Sequence, residues 1–467
     1  MRNTENYYEF IASKRKSVVS YGFDVDINEL NPLAFEWQKK IVRWALKKGR
    51  ANLFEDCGLG KTLQQLMFAN EVCKHTGGSV IIFAPLAVCV QTQRESVKFG
   101  YEVNICRTQK DVIPGINITN YEMAEHFNAD VFDGIILDES SILKQNFGKT
   151  RELLTEKFKN TKYKLCCTAT PAPNDYVEIG NHAEFLGIMT RLEMLSTFFT
   201  HDGGNTSKWK IKGHAKEEFF KWLADFSCCI TSPADLGYPS AEYELPNLNI
   251  IEIVVKSNDL EDRDGQRMLV PLTAMDLNER RNARRQTLFD RVAKAAEIAN
   301  ACDSQVLVWC DLNDESKELT NQIDNAVEVT GSDTDEHKQN AMLDFTNGNI
   351  KCLVSKPKIA GWGMNWQNCH NVIFVGLSDS FESYYQAVRR CWRFGQTSEV
   401  NVYIITSDKE SCVKQNIETK QAKAQTLTKE LACLTRDIVI NEMNGKIYKT
   451  SNYLPNEDMK IPQWIGE

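Results

Sequence analysis

The feature that most constrains this chain is a pattern of short, continuously apolar runs alternating with helical stretches, laid out in two separate series. The first series holds residues 51–54, 79–84, 116–119, 134–137 and 164–167, with helix-period segments such as 63–73 between them. The second starts near residue 286 with a helix over 286–301 and runs through 305–309, 351–354, 371–376 and 401–405. A strand apolar at every position is covered on both faces, as in a parallel sheet flanked by helices. The fold class is therefore α/β, with one sheet per series, and 467 residues hold both at about 100–200 residues per domain. Between the series, amphipathic helices at 184–199 and 215–226 flank a polar stretch at 201–213, which predicts a helical insertion or brace. No short-period repeat occurs, so solenoids and propellers are excluded.

Composition narrows the partners. Fifty-five Lys and Arg against 63 Asp and Glu give a net charge of −8, which excludes a surface that binds polyanions indiscriminately but leaves room for a local basic groove. The start MRNTENYYEF lacks the basic and apolar regions of a secretory signal, and the longest nearly apolar run, 80–90, is about half of the roughly 20 residues that span a bilayer. Fifteen cysteines without a C-x-x-C pair read as reduced thiols, with Cys166–Cys167 and Cys228–Cys229 as core packing. The expectation is a cytosolic protein, neither secreted nor membrane-bound.

Four motifs carry chemistry. Asp56-Cys57-Gly58-Leu59-Gly60-Lys61-Thr62 lies between a strand and a helix. Glycines let backbone N–H groups approach phosphate oxygens, the lysine reaches the outer phosphates, and the threonine hydroxyl suits Mg²⁺. Glu55 stands where the full phosphate-loop pattern has its first glycine. Asp138-Glu139 closes the apolar run 134–137, a place from which one carboxylate can reach a phosphate-bound metal and the other can polarise a water. Thr168-Ala169-Thr170-Pro171 follows the next run and offers hydroxyls for coupling. Far downstream, Gln386, Arg389, Arg390 and Arg393 have offsets of three, four and seven, so on a helix they would share one face and could meet a triphosphate across a cleft.

Taken together these residues resemble the motif series of superfamily 2 helicases, most closely the Swi/Snf-like translocase branch, over roughly residues 33–407. The resemblance implies two tandem RecA-like domains. Phe35-Glu36-Trp37-Gln38 is similar to the family's upstream glutamine element, which implies that Gln38 reads the adenine edge. The stretch Asp56–Thr62 resembles the first motif, whose usual non-glycine start accounts for Glu55. Ala84-Pro85-Leu86 and Thr119-Asn120-Tyr121 resemble elements that touch the nucleic-acid backbone. Asp138-Glu139-Ser140-Ser141 stands at the Asp-Glu box with an unusual Ser-Ser ending, and Gly361-Trp362-Gly363-Met364-Asn365 resembles the Gly-x-Gly-x-Asn motif. The segment 386–396 matches the Swi/Snf form, making Arg390 and Arg393 the finger positions; Arg389 departs from the acidic residue or glycine common there.

The resulting map has an N-terminal extension (1–32), a first RecA-like domain (33–182), a helical brace (183–247), a second RecA-like domain (248–410) and a C-terminal extension (411–467). Residues 411–435 read as a helix bracing the second domain. The resemblance implies an ATP-dependent DNA translocase or helicase. Lys61, Glu139, Arg390 and Arg393 would be catalytic; Gln38, Gly58, Gly60, Lys61, Thr62, Gly363 and Gln386 would bind ATP; Thr62 and Asp138 would hold Mg²⁺. Duplex DNA is the favoured track, with RNA helicase and motor subunit of a nuclease or restriction complex as alternatives. A monomer of the small phage or mobile-element type, working with nuclease, replication or recombination proteins, completes the expectation. Trp362, Trp366 and Trp392 invite base stacking, with burial as the favoured alternative; Lys208, Lys210, Lys212, Lys216 and Lys221 around Trp209 and Trp222 suggest either a DNA-facing arm or a solvated helix.

Overall fold

The computed structural model describes residues 20–144, 148–172, 174–202, 205–240, 243–256, 285, 287–360, 364–378, 380–408 and 411–445. The first apolar series becomes β1 (Arg50–Glu55), β2 (Ser79–Ala84), β3 (Val103–Ile105), β4 (Gly115–Asn120), β5 (Gly134–Asp138) and β6 (Tyr163–Thr168). An antiparallel hairpin, β7 (Phe199–Asp202) and β8 (Asn205–Ile211), precedes β9 (Ser227–Ile230), which returns to the first sheet beside β1. All pairings in that sheet are parallel, in the order β3-β4-β2-β5-β6-β1-β9. The second sheet, also parallel, has β10 (Leu248–Val255), β11 (Val306–Cys310), β12 (Ala326–Val329), β13 (Cys352–Ser355), β14 (Asn371–Val375) and β15 (Val400–Ser407) in the order β10-β15-β14-β11-β13-β12. Every residue of β1, β6, β11, β13 and β14 is buried, as continuous apolar runs require.

The order β5-β6-β1 positions the chemistry. It brings the carboxyl ends of three neighbouring strands together, and with them the phosphate loop after β1, Asp138 at the end of β5 and Thr168 at the end of β6.

Three features differ from the sequence reading. The expected helix over 184–199 is two helices, Ile179–Leu186 and Arg191–Phe198, because Gly187 ends the first in a left-handed turn and Thr190 caps the second through Glu193. The region assigned to a helical brace supplies a strand to the first sheet, since β9 pairs with β1 from Asn52↔Ser227 to Glu55↔Ile230. The long helix Ser411–Met443 does not serve the second unit alone. Ala424 joins the second unit's core, but Leu431 and Val439 lie in the two cores of the first, and Glu442 accepts from Trp44 Nε1 (2.8 Å) and Lys48 Nζ (2.9 Å). The helix straps one unit to the other.

Among the described residues no helix is long and apolar enough to cross a membrane, and every cysteine is free.

Candidate functional site

The phosphate loop is held by its glycines. Gly58 and Gly60 have φ of 88° and 80°, a left-handed conformation open to glycine. Space is as restrictive as torsion. A Cβ on Gly60 would lie 2.4 Å from Gln38 Nε2, and one on Gly58 would lie 3.0 Å from Phe394 Cβ in the second unit. Gln38 is buried with both amide ends engaged, accepting from Phe35 N (3.0 Å) and donating to Leu59 O (2.9 Å). It therefore buttresses the loop through the Leu59 carbonyl. Lys61 Nζ donates to the carbonyls of Glu55 (2.8 Å) and Asp56 (2.9 Å), while Thr62 sits half-buried on the first turn of the following helix. Glu55 is fully buried under the loop and accepts from Gln64 Nε2 (2.8 Å); burial pushes its carboxyl up to about 7, against the pull of Lys61 and that hydrogen bond.

Asp138 and Glu139 stand opposite. Asp138 Oδ1 accepts from Gln65 Nε2 (2.7 Å), and the Asp138 carbonyl accepts from the Tyr121 hydroxyl (2.6 Å). Burial, then the neighbouring Glu139 carboxylate, push Asp138 up to about 6. Glu139 adopts φ 54°, one of two positive-φ non-glycine residues among those described. Such a conformation persists where its surroundings impose it. Here Tyr121 fixes the residue before, and the Ser140 hydroxyl meets His182 Nε2 (3.1 Å) just after. His182 is buried against Phe54, and burial lowers it to about 4, so it is neutral at physiological pH. Thr168 Oγ1 reaches Glu139 Oε2 at 3.5 Å, and Thr170 N donates to Thr168 Oγ1 (3.1 Å).

The second unit closes over this wall. Its helix Phe381–Val388 ends at Val388, so Gln386 and the three arginines do not share one helical face as their spacing suggested. Arg389 caps the helix and the chain continues in turns to Gly395 (φ 90°), with the Gln396 side chain donating to the carbonyls of Cys369 (3.0 Å) and Cys391 (3.2 Å). The turns, not a helix, carry the guanidiniums into the cleft. Arg390 is 5% exposed and uses one nitrogen on the Met364 carbonyl (3.2 Å). The Nε atoms of Arg390 and Arg393, and Gln386 Nε2, are buried without a hydrogen-bond partner. Burial lowers Arg390, and burial together with Arg390 lowers Arg393 to about 10; Cys57 of the phosphate loop lies within electrostatic reach of both. A buried guanidinium beside a half-buried one, each with an unpartnered Nε, creates a demand for an anion.

Further contacts cross the cleft. Glu382 accepts from Thr170 Oγ1 (3.3 Å) and forms an ion pair with Lys144, and Asn365 Nδ2 donates to Glu95 Oε1 (3.0 Å). Gly361, Trp362 and Gly363 lie outside the described residues. Glu382, Lys144, His182 and Gln65 were not singled out from sequence; each is an ordinary polar residue whose significance comes from a partner distant in the chain.

Alongside the motifs runs a cavity of about 1050 Å³, shared between the two units. Pro85, Leu86 and Tyr121, from the elements expected at a nucleic-acid backbone, line it. So do seven Lys and Arg against four Glu, with Arg94, Lys98 and Lys149 from the first unit and Lys338 and Lys358 from the second. The aromatic side chains take another course. Trp366 is fully buried beside Trp309 and Phe345, and Trp392 donates to the Pro246 carbonyl (2.8 Å). Trp209 and Trp222 pack into the first unit's core, Lys212 donates to the carbonyls of Ser196 and Thr197, and Lys221 pairs with Glu217 and Glu218. Those contacts leave neither a stacking platform nor a free arm at the side chains described.

The SNF2-related domain matches residues 37–201, and the helicase conserved C-terminal domain matches residues 289–395. The chain belongs to the Swi/Snf-like branch of the superfamily 2 helicases. Helicase SWR1 of Eremothecium gossypii is 30% identical over 181 residues, 34% of this chain and 12% of the relative; Helicase SWR1 of Kluyveromyces lactis is 29% identical over 181 residues, 34% and 11%. The chain thus spans about an eighth of the length of these relatives. Among solved structures, the Sulfolobus solfataricus SWI2/SNF2 ATPase core in complex with dsDNA is similar over 92% of this chain and 99% of that one, at 19% identity and a TM-score of 0.40.

Proposed function

We propose that the chain hydrolyses ATP in the cleft between its two RecA-like units and uses the opening and closing of that cleft to move along duplex DNA. The observation that carries this reading is the pair of arginines, Arg390 and Arg393, with buried, unpartnered Nε atoms opposite a glycine-built phosphate loop. In this reading Gly58, Gly60, Lys61 and Thr62 receive the phosphates, and Gln386 adds a donor from the second unit. Lys61 must leave the Glu55 and Asp56 carbonyls to do so. Thr62 and Asp138 supply the hard oxygen donors that Mg²⁺ prefers, and a bound Mg²⁺ would neutralise charge on the phosphates. Glu139, raised into the cleft by its left-handed backbone, takes the proton of the attacking water, while Arg390 and Arg393 stabilise the charge on the transferring phosphoryl group.

Thr170, Lys144 and Glu382 link the wall that bears Glu139 to the helix that leads to the arginines, so a change at one is felt at the other. Two grips on one strand that separate and approach in turn convert differential affinity into stepping. The basic lining of the shared cavity supports a nucleic-acid track held through its phosphates, insensitive to sequence and weakened by salt. A small phage or mobile-element type, and a nuclease or recombination partner, belong to the same proposal.

The deciding experiment measures ATP turnover with duplex and single-stranded DNA and RNA, together with displacement of a triplex-forming strand. Turnover stimulated by duplex DNA, with displacement but no unwinding, is expected. It should vanish in Lys61→Ala and Glu139→Gln; full turnover in either variant would overturn the assignment, and stimulation by RNA alone would replace the track.

A further inference from the structure

The arginine that departs from the family pattern does not point at the phosphate site. Arg389 is 4% exposed; its Nη2 lies 3.0 Å from Asp56 Oδ2 and donates to the Cys57 carbonyl at 2.8 Å. One helical turn earlier, the Tyr385 hydroxyl donates to Asp56 Oδ1 at 2.5 Å, and the guanidinium lies over the rings of Tyr385 and Trp392, 5.7 and 5.1 Å from their centroids. Asp56 Oδ1 in turn accepts from Cys57 N at 2.7 Å. One carboxylate of the phosphate loop is therefore held by two donors of the second unit and one of its own loop, and Phe394 packs on Gly58 beside it.

We infer that Arg389 and Tyr385 form a latch that docks the second unit on the phosphate loop through Asp56, so that the cleft is pre-closed before the nucleotide's own contacts form. This rests on the reading that the loop binds ATP. The physical reason is that, docked, Asp56 and the Cys57 carbonyl collect charge-assisted hydrogen bonds from Arg389 and Tyr385, and separating the units gives up these bonds and the ring contacts of the guanidinium together, which biases the equilibrium towards the docked state. The same contact explains why an arginine is useful here. A third phosphate-seeking guanidinium would add to the mutual repulsion of Arg390 and Arg393, whereas one paired with Asp56 brings its own countercharge. Arg389 is thus a positioning residue, acting on the loop and on the finger segment rather than on the reacting phosphate.

The test compares Arg389→Ala, Arg389→Lys and Tyr385→Phe in the full chain. The distance between the units is read in nucleotide-free protein, from genetically encoded labels at the exposed positions Val97 and Phe289, and KM and kcat are read separately. A pre-closing latch predicts a wider separation without nucleotide in Arg389→Ala, a KM for ATP raised about tenfold, and a kcat changed less than about threefold. Arg389→Lys and Tyr385→Phe, each keeping part of the contact to Asp56, should fall between Arg389→Ala and the parent chain. A kcat lowered a thousandfold or more at unchanged KM would make Arg389 a phosphate finger and overturn the inference, as would unchanged separation and KM. If Arg389→Ala fails to fold, Tyr385→Phe carries the same two readouts. The nucleotide-free distance judges the latch even if Lys61→Ala retains turnover and the ATP-site reading falls.

Discussion

Replacing Glu139 by glycine should abolish turnover and stabilise the protein in one stroke. A non-glycine residue in the left-handed region costs about 1–2 kcal/mol, and Glu139 holds φ 54°. Glycine relieves that strain, but its freer unfolded chain takes back about 0.4–1 kcal/mol. The net gain is about 0.5–1 kcal/mol. Removing the carboxylate also relieves its repulsion of Asp138, so the proper reference is Glu139→Gln, which loses the charge but keeps the side chain and the strain. Urea unfolding of Glu139→Gly against Glu139→Gln isolates the backbone term, and both variants should be inactive. If Glu139→Gly were less stable than Glu139→Gln, the backbone at this position would not be strained, and the account of Tyr121, Ser140 and His182 as its restraints would fail.

Three other outcomes follow from buried charges. Burial is the main force raising Asp225 to about 7, with Lys48 opposing and Glu442 adding to the rise. A carboxyl raised on folding stabilises the protein below its unfolded value near 4 and loses that contribution as pH climbs through the folded value. The parent chain should therefore lose about 2–3 kcal/mol relative to Asp225→Asn between pH 5 and pH 8, read as diverging urea midpoints; parallel midpoints would contradict it. In the second unit Arg291 and Glu315 form a fully buried ion pair at 2.7 Å, and Glu315 also accepts from Asp311 N and Leu312 N. Glu315→Gln should cost about 3–5 kcal/mol in chemical denaturation, and a loss below about 1 kcal/mol would show the pair to be dispensable. Glu442→Ala leaves Trp44 Nε1 without its partner and should lower stability by about 1–3 kcal/mol, with faster amide exchange at the end of the C-terminal helix as its local signature.

What could be read from the sequence was whatever is encoded locally. Runs such as 79–84 and 371–375 are apolar at nearly every residue and announce buried parallel strands, and the glycines with Lys61-Thr62 announce their own turn. Short or mixed strands escaped: Val103–Ile105 has three residues, Ser227–Ile230 is Ser-Cys-Cys-Ile, and Ala326–Val329 carries a glutamate. The spacing of Gln386, Arg389, Arg390 and Arg393 suggested one helical face, but the helix stops at Val388, where turn contacts outweigh helical propensity. The contact from Arg389 to the Cys57 carbonyl spans 332 positions, and no local pattern distinguishes an arginine that seeks phosphate from one that seeks Asp56. Gln38 shows the converse. Its motif was visible, but not that its amide donates to the loop backbone at Leu59 while accepting from Phe35 N.

The helix Ser411–Met443 has a consequence for how the protein is made. Leu431 and Val439 fill positions in the cores on the two faces of the first sheet, yet they leave the ribosome roughly 200 residues after β9, the last strand of that sheet. At about 5–20 residues per second the first unit must wait on the order of 10–40 s for the side chains that cover it. During that interval its apolar surface faces the cell while the strands of the second unit are still being synthesised. Division of the two halves into separate polypeptides would therefore not yield two independent modules, because the first half carries a surface whose cover is encoded at the far side of the second.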